Sequence, residues 1–240
     1  MPPGAVDAMF GAIKRGRFNQ FAPRFLLEPP EGPWIVVFDD FLSDAECEHL
    51  VSASTGGGRG GFRRSTDQGG YNEFGEQEKV TSTGRTSRNA WCREHCDNDP
   101  YVMAVTHRIE NVTGIPYANY ENFQVLQYEV GQFYRTHHDM SERDNDMPAG
   151  PRVYTFFLYM SDVEEGGETN FPRLDVDVRP RKGRALLWPS VLDDDPRRQD
   201  ARTHHQAKPV IKGLKYAANA WIHSYNYRIP NHWGCSGSFD

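Results

Sequence analysis

The sequence of 240 residues predicts an α+β fold in which N-terminal helices pack on one sheet of a jelly roll of about eight core strands. Two observations predict this fold. Apolar residues recur every three or four positions over residues 99–114, which is typical of a helix. From residue 122 onward they recur every second position, and Gly, Pro and Asp separate the segments, which is typical of short strands. Many short strands in succession favour a double-sheet barrel or sandwich.

The helices are marked by their ends. A short helix is expected near residues 4–15. Ser43 and Glu46 have the spacing of a capping box, in which each side chain binds a free amide of the first helical turn. A third helix begins at the pair Asp99-Pro100, which supplies a cap and a first-turn proline, and it ends at Gly114. We expect the second and third helices to lie together on one outer face of a sheet.

The strands follow a Pro-containing extended stretch over residues 26–41 and the capped helices. Each predicted strand alternates apolar and polar residues or is short and apolar, and each is bounded by turn residues. The eight predicted strands are 122–130, 132–139, 152–160, 167–171, 174–180, 183–189, 205–213 and 214–225.

Composition excludes two classes of protein. The net charge of −6 argues against a nucleic-acid-binding protein, which needs a basic face for phosphates. No apolar run approaches the ~18 residues of a membrane span. The first residues lack the basic start and apolar block of a signal peptide. The compartment therefore stays open between the cytoplasm and, for a chain whose leader has been removed, the lumen of the endoplasmic reticulum.

The four cysteines are Cys47, Cys92, Cys96 and Cys235, too few for a disulfide scaffold. Cys92 and Cys96 lie near His95, so a zinc site is conceivable, but a tetrahedral site needs more ligands nearby. A disulfide or free thiols are favoured, and the sequence does not decide the pairing.

One group of residues predicts a specific chemistry. On a strand, His137 and Asp139 point to one face while His138 points to the other. A third ligand has to come from a distant strand, and pattern alone does not choose between His204 and His205. Two imidazoles and one carboxylate are typical of non-haem iron(II) oxygenases, because they leave coordination positions open for reactants.

Two longer motifs carry a resemblance to a family. Y-x-x-H-x-D over residues 134–139 and D-x-x-T-x-H-x-x-x-P-V-x-x-G-x-K over residues 200–215, with a Trp six positions later, resemble the catalytic domain of the prolyl 4-hydroxylases of collagen, plants and algae. These enzymes are iron(II)- and 2-oxoglutarate-dependent dioxygenases. The resemblance implies a double-stranded β-helix, with an N-terminal extension at 1–35, a catalytic domain at 36–226 whose iron and cosubstrate core is about 120–226, and a tail at 227–240.

The resemblance also assigns roles to residues. It selects His205 as the third iron ligand beside His137 and Asp139, because His205 stands four residues before Pro209, and it makes Lys215 the anchor of 2-oxoglutarate. A buried ammonium group needs an anion, which a dicarboxylate supplies. Ascorbate is implied as the reductant that restores ferrous iron. Further cosubstrate-pocket residues implied by the resemblance are Tyr128, Thr155, Tyr159 and Trp221.

The implied substrate is a proline-containing peptide, hydroxylated at C4. Arg85, Tyr134 and Trp91 are the expected substrate-binding residues, and the segments 56–61 and 85–96 have the composition of loops that close over a peptide. The Gly-rich segment lacks the Lys-Ser/Thr ending of a phosphate-binding loop.

Three alternatives share parts of this pattern. A small-molecule oxygenase would have the same iron ligands and a closed pocket. A nucleic-acid demethylase is disfavoured by the acidic charge and by the anchoring lysine, where an arginine is typical. A non-catalytic binding module should have lost a ligand, and none is missing.

Overall fold

The computed structural model describes residues 1–56, 61–71 and 77–235, and over residues 67–71 and 77–79 it describes the backbone alone. Residues 57–60 of the Gly-rich segment lie outside the described residues, as does the end of the predicted tail. Within the described ranges, no helix has both the length and the apolar character needed to cross a membrane.

The structure consists mostly of short antiparallel strands, numbered here in chain order. Their bounds are β1 (Pro23–Leu27), β2 (Ile35–Phe38), β3 (Arg63–Arg64), β4 (Thr66–Tyr71), β5 (Gln77–Thr81), β6 (Arg88–Trp91), β7 (Gln124–Tyr128), β8 (Tyr134–His137), β9 (Arg152–Tyr159), β10 (Glu165–Gly166), β11 (Thr169–Phe171), β12 (Val176–Val178), β13 (Ala185–Pro189), β14 (His205–Ala207), β15 (Val210–Lys212) and β16 (Lys215–His223).

Two sheets form the body of the molecule. The main sheet has eight strands in the order β1-β2-β13-β9-β16-β7-β6-β3, and the minor sheet has four in the order β12-β11-β14-β8. All neighbours in both sheets are antiparallel. The pairs β10–β15 and β4–β5 stand apart as two-stranded sheets.

The main sheet is buried on both faces. Along β9, Tyr154 and Phe156 belong to a core that the helices cover, whereas Phe157 and Tyr159 belong to a second core. The second core also contains Phe171 of the minor sheet, so it lies between the two sheets. Alternation along each strand therefore separates a helix-covered face from an inner face, and the inner face is where the candidate site lies.

The helices are α1 (Ala5–Lys14), α2 (Asp44–Thr55), α3 (Pro100–Thr113) and the short α4 (Arg228–His232). The predicted capping box of α2 is confirmed: the amide of Glu46 donates to the Ser43 hydroxyl and the Glu46 carboxylate accepts from the Ser43 amide. The cap of α3 at Asp99 and its end at Gly114 are also confirmed. Helices α2 and α3 contact each other and fill the same helix-side core, as expected.

The strand predictions differ from the structure at several places: β6 lies within the segment 85–96, which was expected to be a loop, and two further differences have a clear physical reason. The predicted strand 205–213 is divided into β14 and β15, because Pro209 has no amide hydrogen with which to continue a ladder. The extended stretch 26–41 contains β2, whose four residues are all buried. Since β2 lies between β1 and β13 and is covered on both faces, it shows no period of two.

The first 35 residues pack on the same core as the rest of the chain. The Phe10 ring of α1 stacks on the indole of Trp34, with centroids 5.4 Å apart and planes 3° apart. Strand β1 pairs with β2 along its length. The division at residues 35 and 36 stays a prediction.

Cys92 and Cys96 form a disulfide between the end of β6 and the loop before α3. The zinc interpretation of these two residues is therefore wrong, because their thiolates are not available as ligands. Cys47 is a buried free thiol, and Cys235 is an exposed one.

Candidate metal centre and its surroundings

Three side chains meet between the two sheets as a possible metal centre. His137 ends β8, Asp139 follows two residues later, and His205 begins β14. Strands β8 and β14 pair with His137 directly opposite His205. One ligand atom from each of the three residues can be chosen so that all lie within 4.8 Å of one another. Nε2 of His137 lies 3.8 Å from Oδ1 of Asp139, and Nε2 of His205 lies 3.6 Å from Oδ2.

The two imidazoles are oriented by backbone carbonyls. Nδ1 of His137 lies 2.9 Å from the carbonyl oxygen of Arg135, and Nδ1 of His205 lies 3.0 Å from that of Thr203. A carbonyl only accepts, so each Nδ1 carries the hydrogen. In the neutral ring, Nε2 then presents its lone pair toward Asp139, which is the arrangement that a metal-binding histidine needs.

The protonation states of His137 and Asp139 also suit a cation. Burial, followed by the nearby His205, lowers the pKa of His137. Burial alone would raise the pKa of Asp139, but the charges of His205, His137 and Arg152 and a hydrogen bond from Thr155 outweigh it and lower that pKa. At neutral pH His137 therefore offers a neutral imidazole and Asp139 an ionised carboxylate, the forms in which these groups bind metals.

The neighbouring histidines lie outside this centre. Nε2 of His138 donates to the carbonyl oxygen of Asp200 at 3.1 Å, and Nδ1 accepts from the amide of Met140 at 3.0 Å. Nδ1 of His204 lies 2.8 Å from the carbonyl oxygen of Ala201. The structure thus brings His205, and not His204, beside Asp139.

Thr155 supports the carboxylate rather than the cosubstrate pocket. Its hydroxyl donates to Oδ2 of Asp139 at 2.6 Å. Thr155 lies on β9 of the main sheet, whereas His137 and His205 lie on the minor sheet. The hydrogen bond therefore joins the two sheets at the candidate metal centre.

Lys215 is fully buried on the inner face of the main sheet. Its ammonium donates to the carbonyl oxygen of Gly167 at 2.7 Å, and the rings of Tyr128, Phe157 and Tyr159 surround it at 5.2, 5.4 and 5.6 Å. Among the described residues, no carboxylate forms an ion pair with it. Burial lowers the pKa of Lys215 to about 7. A buried cation without a counter-ion is costly, so this environment suits an anionic ligand.

A narrow cavity connects the metal centre with the aromatic residues near Lys215. Of the residues expected in the cosubstrate pocket, Tyr128 lines the cavity, whereas Thr155, Tyr159 and Trp221 do not. The hydroxyl of Tyr159 donates to Thr169, which does line it, at 2.8 Å. The lining residues are Leu126, Tyr128, Tyr134, His137, Phe157, Thr169, Trp188, His205, Gln206, Ala207 and Asn219.

Two of the three expected substrate residues, Tyr134 and Arg85, lie beside the same centre. The Tyr134 ring stacks on the His137 imidazole with centroids 3.6 Å apart. The guanidinium carbon of Arg85 lies 4.9 Å from the centre of the Tyr134 ring. Trp91 faces Trp221 with ring centroids 6.2 Å apart. Aromatic faces and a cation therefore surround one side of the metal centre.

Three functional candidates were missed by the sequence analysis. Arg152 stacks on Trp221, with its guanidinium carbon 3.7 Å from the ring centre, and its Nη2 donates to Glu121 at 3.1 Å. Nε2 of His223 lies 2.8 Å from the same carboxylate. Burial alone would raise the pKa of Glu121, but the charges and hydrogen bonds of Arg152 and His223 together lower it to about 2. The sequence feature that could have indicated them is that each is a titratable residue at or near the end of an apolar strand.

Comparisons with known proteins agree with this geometry. The family model of the 2OG-Fe(II) oxygenase superfamily matches residues 123–223. The chain is similar to prolyl 4-hydroxylase subunit alpha-1 of Rattus norvegicus, with 32% identity over 234 residues that cover 93% of this chain and 41% of that protein. It is similar to probable prolyl 4-hydroxylase 8 of Arabidopsis thaliana, with 33% identity over 81% of this chain and 70% of that protein.

Solved structures give the same result. The viral collagen prolyl hydroxylase of Paramecium bursaria Chlorella virus-1, in complex with 2OG, is 28% identical with a TM-score of 0.60, covering 82% of this chain and 99% of that chain. A prolyl hydroxylase of Trichoplax adhaerens shares the fold, with a TM-score of 0.54 at 16% identity, covering 91% of this chain and 90% of that chain. The chain spans about two fifths of the length of the animal alpha-1 relatives, at 41% in the rat protein.

Proposed function

Because the chain belongs to the prolyl 4-hydroxylase family of iron(II)- and 2-oxoglutarate-dependent dioxygenases, we propose that it hydroxylates proline in peptides at C4. One observation carries the proposal. The His137, Asp139 and His205 centre lies beside Tyr134 and Arg85, and a buried lysine that forms no ion pair among the described residues lies near the same cavity. We take the surface formed by Tyr134, Arg85 and Trp91 as the peptide groove. The finer description of the fold as a double-stranded β-helix is part of this proposal, and the two facing antiparallel sheets support it.

The donor set fits ferrous iron. Two imidazole nitrogens and one carboxylate on one side of a metal are typical of non-haem iron(II) sites. The backbone carbonyls that hold Nδ1 of His137 and His205 fix both tautomers, and Thr155 holds Asp139. His137, Asp139 and His205 would therefore bind the metal without rearranging their rotamers.

The Lys215 pocket fits the far carboxylate of 2-oxoglutarate. The ammonium has one neutral acceptor and three aromatic rings around it, and an incoming carboxylate would supply the missing charge. When bound, iron and 2-oxoglutarate supply the oxidising power that, with O2, replaces a C–H hydrogen by hydroxyl and releases succinate and CO2. The protein's part is to orient the reactants and to exclude water.

The groove residues suit an extended peptide. Proline has an apolar ring that can pack against Tyr134 and Trp91, which are both half-buried. Within the described residues, Nη1 of Arg85 has no hydrogen-bond partner, so it can donate to a peptide carbonyl oxygen. Arg152 presents a second guanidinium beside Trp221. An extended proline-rich segment has a preset backbone and loses little entropy on binding such a groove.

We expect proline-rich peptides to stimulate succinate formation by the protein supplied with iron(II), 2-oxoglutarate and ascorbate. Mass spectrometry should show one added oxygen on proline, and amino-acid analysis should identify 4-hydroxyproline. The matched control is the same peptide with alanine at the target position, which should give only background succinate. Free proline oxidised as readily as the peptide would contradict the peptidyl substrate.

A further inference from the structure

Two buried amides lie between Arg85 and the metal cavity. Gln124 on β7 is paired directly with Asn219 on β16, and both side chains point to the inner face of the main sheet. Oε1 of Gln124 accepts a hydrogen bond from Nη2 of Arg85 at 2.8 Å and another from Nδ2 of Asn219 at 3.3 Å. All three side chains are buried. We call Gln124 and Asn219 the amide pair.

Arg85 depends on neutral acceptors. Its Nε donates to the Ser87 hydroxyl at 3.2 Å, its Nη2 donates to Gln124, and its guanidinium lies over the Tyr134 ring. Over the described part of the chain, it forms no ion pair with a carboxylate. The Gln124 oxygen is the nearest acceptor of the guanidinium, so it determines much of the position of a cation that is only 8% exposed.

The amide pair also touches the metal cavity. Asn219 lines that cavity together with His137 and His205. Nδ2 of Asn219 and Nη2 of Arg85 are both donors, so the Gln124 atom that they share has to be its amide oxygen. The Asn219 donor therefore fixes which end of the Gln124 amide faces Arg85. Arg85 in turn contacts Tyr134, whose ring stacks on His137. Gln124 thus contacts Arg85 and Asn219 but is not among the residues that line the cavity.

We propose that Gln124, oriented by Asn219, is a positioning residue that sets the Arg85 guanidinium for peptide binding. This inference rests on the proposed function, since it assigns Arg85 to the peptide. It predicts that loss of the Gln124 acceptor weakens peptide binding through Arg85 alone. The iron ligands, the anchoring lysine and the groove surface remain in place.

The test is a double-mutant cycle on Gln124→Met and Arg85→Met. Methionine keeps the volume of glutamine and removes its acceptor. Binding of a fluorescent proline-rich peptide is measured by anisotropy in the presence of 2-oxoglutarate, independently of turnover. Gln124→Met should weaken peptide affinity about tenfold, since a hydrogen bond to a charged group is lost. The double variant should bind no more weakly than Arg85→Met, because both changes remove the same interaction.

The matched control is Gln127→Met on the same strand. Gln127 points to the opposite face of the main sheet and donates to the Tyr216 hydroxyl at 2.9 Å. Its peptide affinity should stay within about twofold of the wild type. In turnover assays, Gln124→Met should raise the peptide KM about tenfold and lower kcat less than about threefold.

Clear outcomes would overturn the inference. If the losses of peptide affinity in Gln124→Met and Arg85→Met multiply in the double variant, Gln124 does not act through Arg85. The same conclusion follows if Gln124→Met binds the peptide as tightly as Gln127→Met does. Asn219→Ala, which removes the donor that orients Gln124, replaces Gln124→Met if the latter does not fold and should weaken binding at least about threefold. Native affinity in Asn219→Ala would refute the orienting role. A wild-type protein that neither binds nor oxidises proline peptides would refute the proposed function, and this inference with it.

Discussion

Asp139→Ala and His205→Ala are each expected to reduce iron-dependent succinate formation to background and to lower the iron retained after desalting. Each change removes one of the three donors that the described residues supply. Asp139→Ala also removes the single negative charge that opposes the metal and leaves the Thr155 hydroxyl without its acceptor. Iron content is measured by atomic absorption and succinate by chromatography.

The neighbouring histidine provides the control. His204→Ala changes a side chain whose ring nitrogen faces the Ala201 carbonyl and lies outside the metal centre. Its activity should stay within about twofold of the wild type. Full activity of His205→Ala together with loss in His204→Ala would show that the third ligand had been assigned to the wrong residue of the pair.

Lys215→Met is expected to raise the 2-oxoglutarate requirement by tens to thousands of times while most iron binding is retained. Removing one partner of a desolvated charge pair costs about 2–5 kcal/mol, mostly because the remaining charge is stranded. Methionine fills the space of the lysine, so the loss reports the charge and not a cavity. Lys212→Ala, which removes an exposed lysine paired with Glu164 on the surface, is the control and should have little effect.

The pH dependence gives a second measurement of the same group. Burial lowers the pKa of Lys215 to about 7 in the free protein, so the ammonium loses its proton above that pH. A bound dicarboxylate favours the ammonium and raises the pKa again, so binding must take up a proton. The 2-oxoglutarate Kd should therefore rise as pH increases above 7, by up to about tenfold per unit. Titration calorimetry in two buffers should show this proton uptake, and Lys215→Met should abolish it. A flat pH profile in the wild-type protein would contradict the anchor.

The pair His137 and Asp139 could be predicted from the sequence because residues two positions apart in an extended segment point to the same side. In the structure β8 ends at His137, and Asp139 lies two residues beyond the strand. The choice of His205 over His204 could not, since it depends on the register between β8 and β14, and the family motif was needed. Lys215 was recognisable because an ammonium in an apolar strand requires a reason to be buried.

The Arg152, Glu121 and His223 group was missed for a physical reason. Its hydrogen bonds join residues 31 and 102 positions apart, so no local spacing indicates them. Each of the three residues stands at or near the end of an apolar strand. At such positions an exposed charged residue is as common as a buried one. Thr155 was likewise predicted to line the cosubstrate pocket. The Asp139 carboxylate that it supports follows β8 of the minor sheet, so the sequence around Thr155 does not indicate this contact.

The disulfide between Cys92 and Cys96 ties β6, which carries Trp91, to the loop that leads into α3. Disulfides of this kind persist in oxidising compartments, whereas the reduced glutathione of the cytosol would convert this one to two thiols. We therefore propose an oxidising compartment, such as the lumen of the endoplasmic reticulum, as the place where the chain works. Protein denatured without reductant should alkylate at only two of its four cysteines, and at all four after reduction. Labelling of all four cysteines without reductant would show instead that Cys92 and Cys96 are free thiols in the isolated protein. Strand β6, which carries Trp91, would then be joined to α3 only by the backbone.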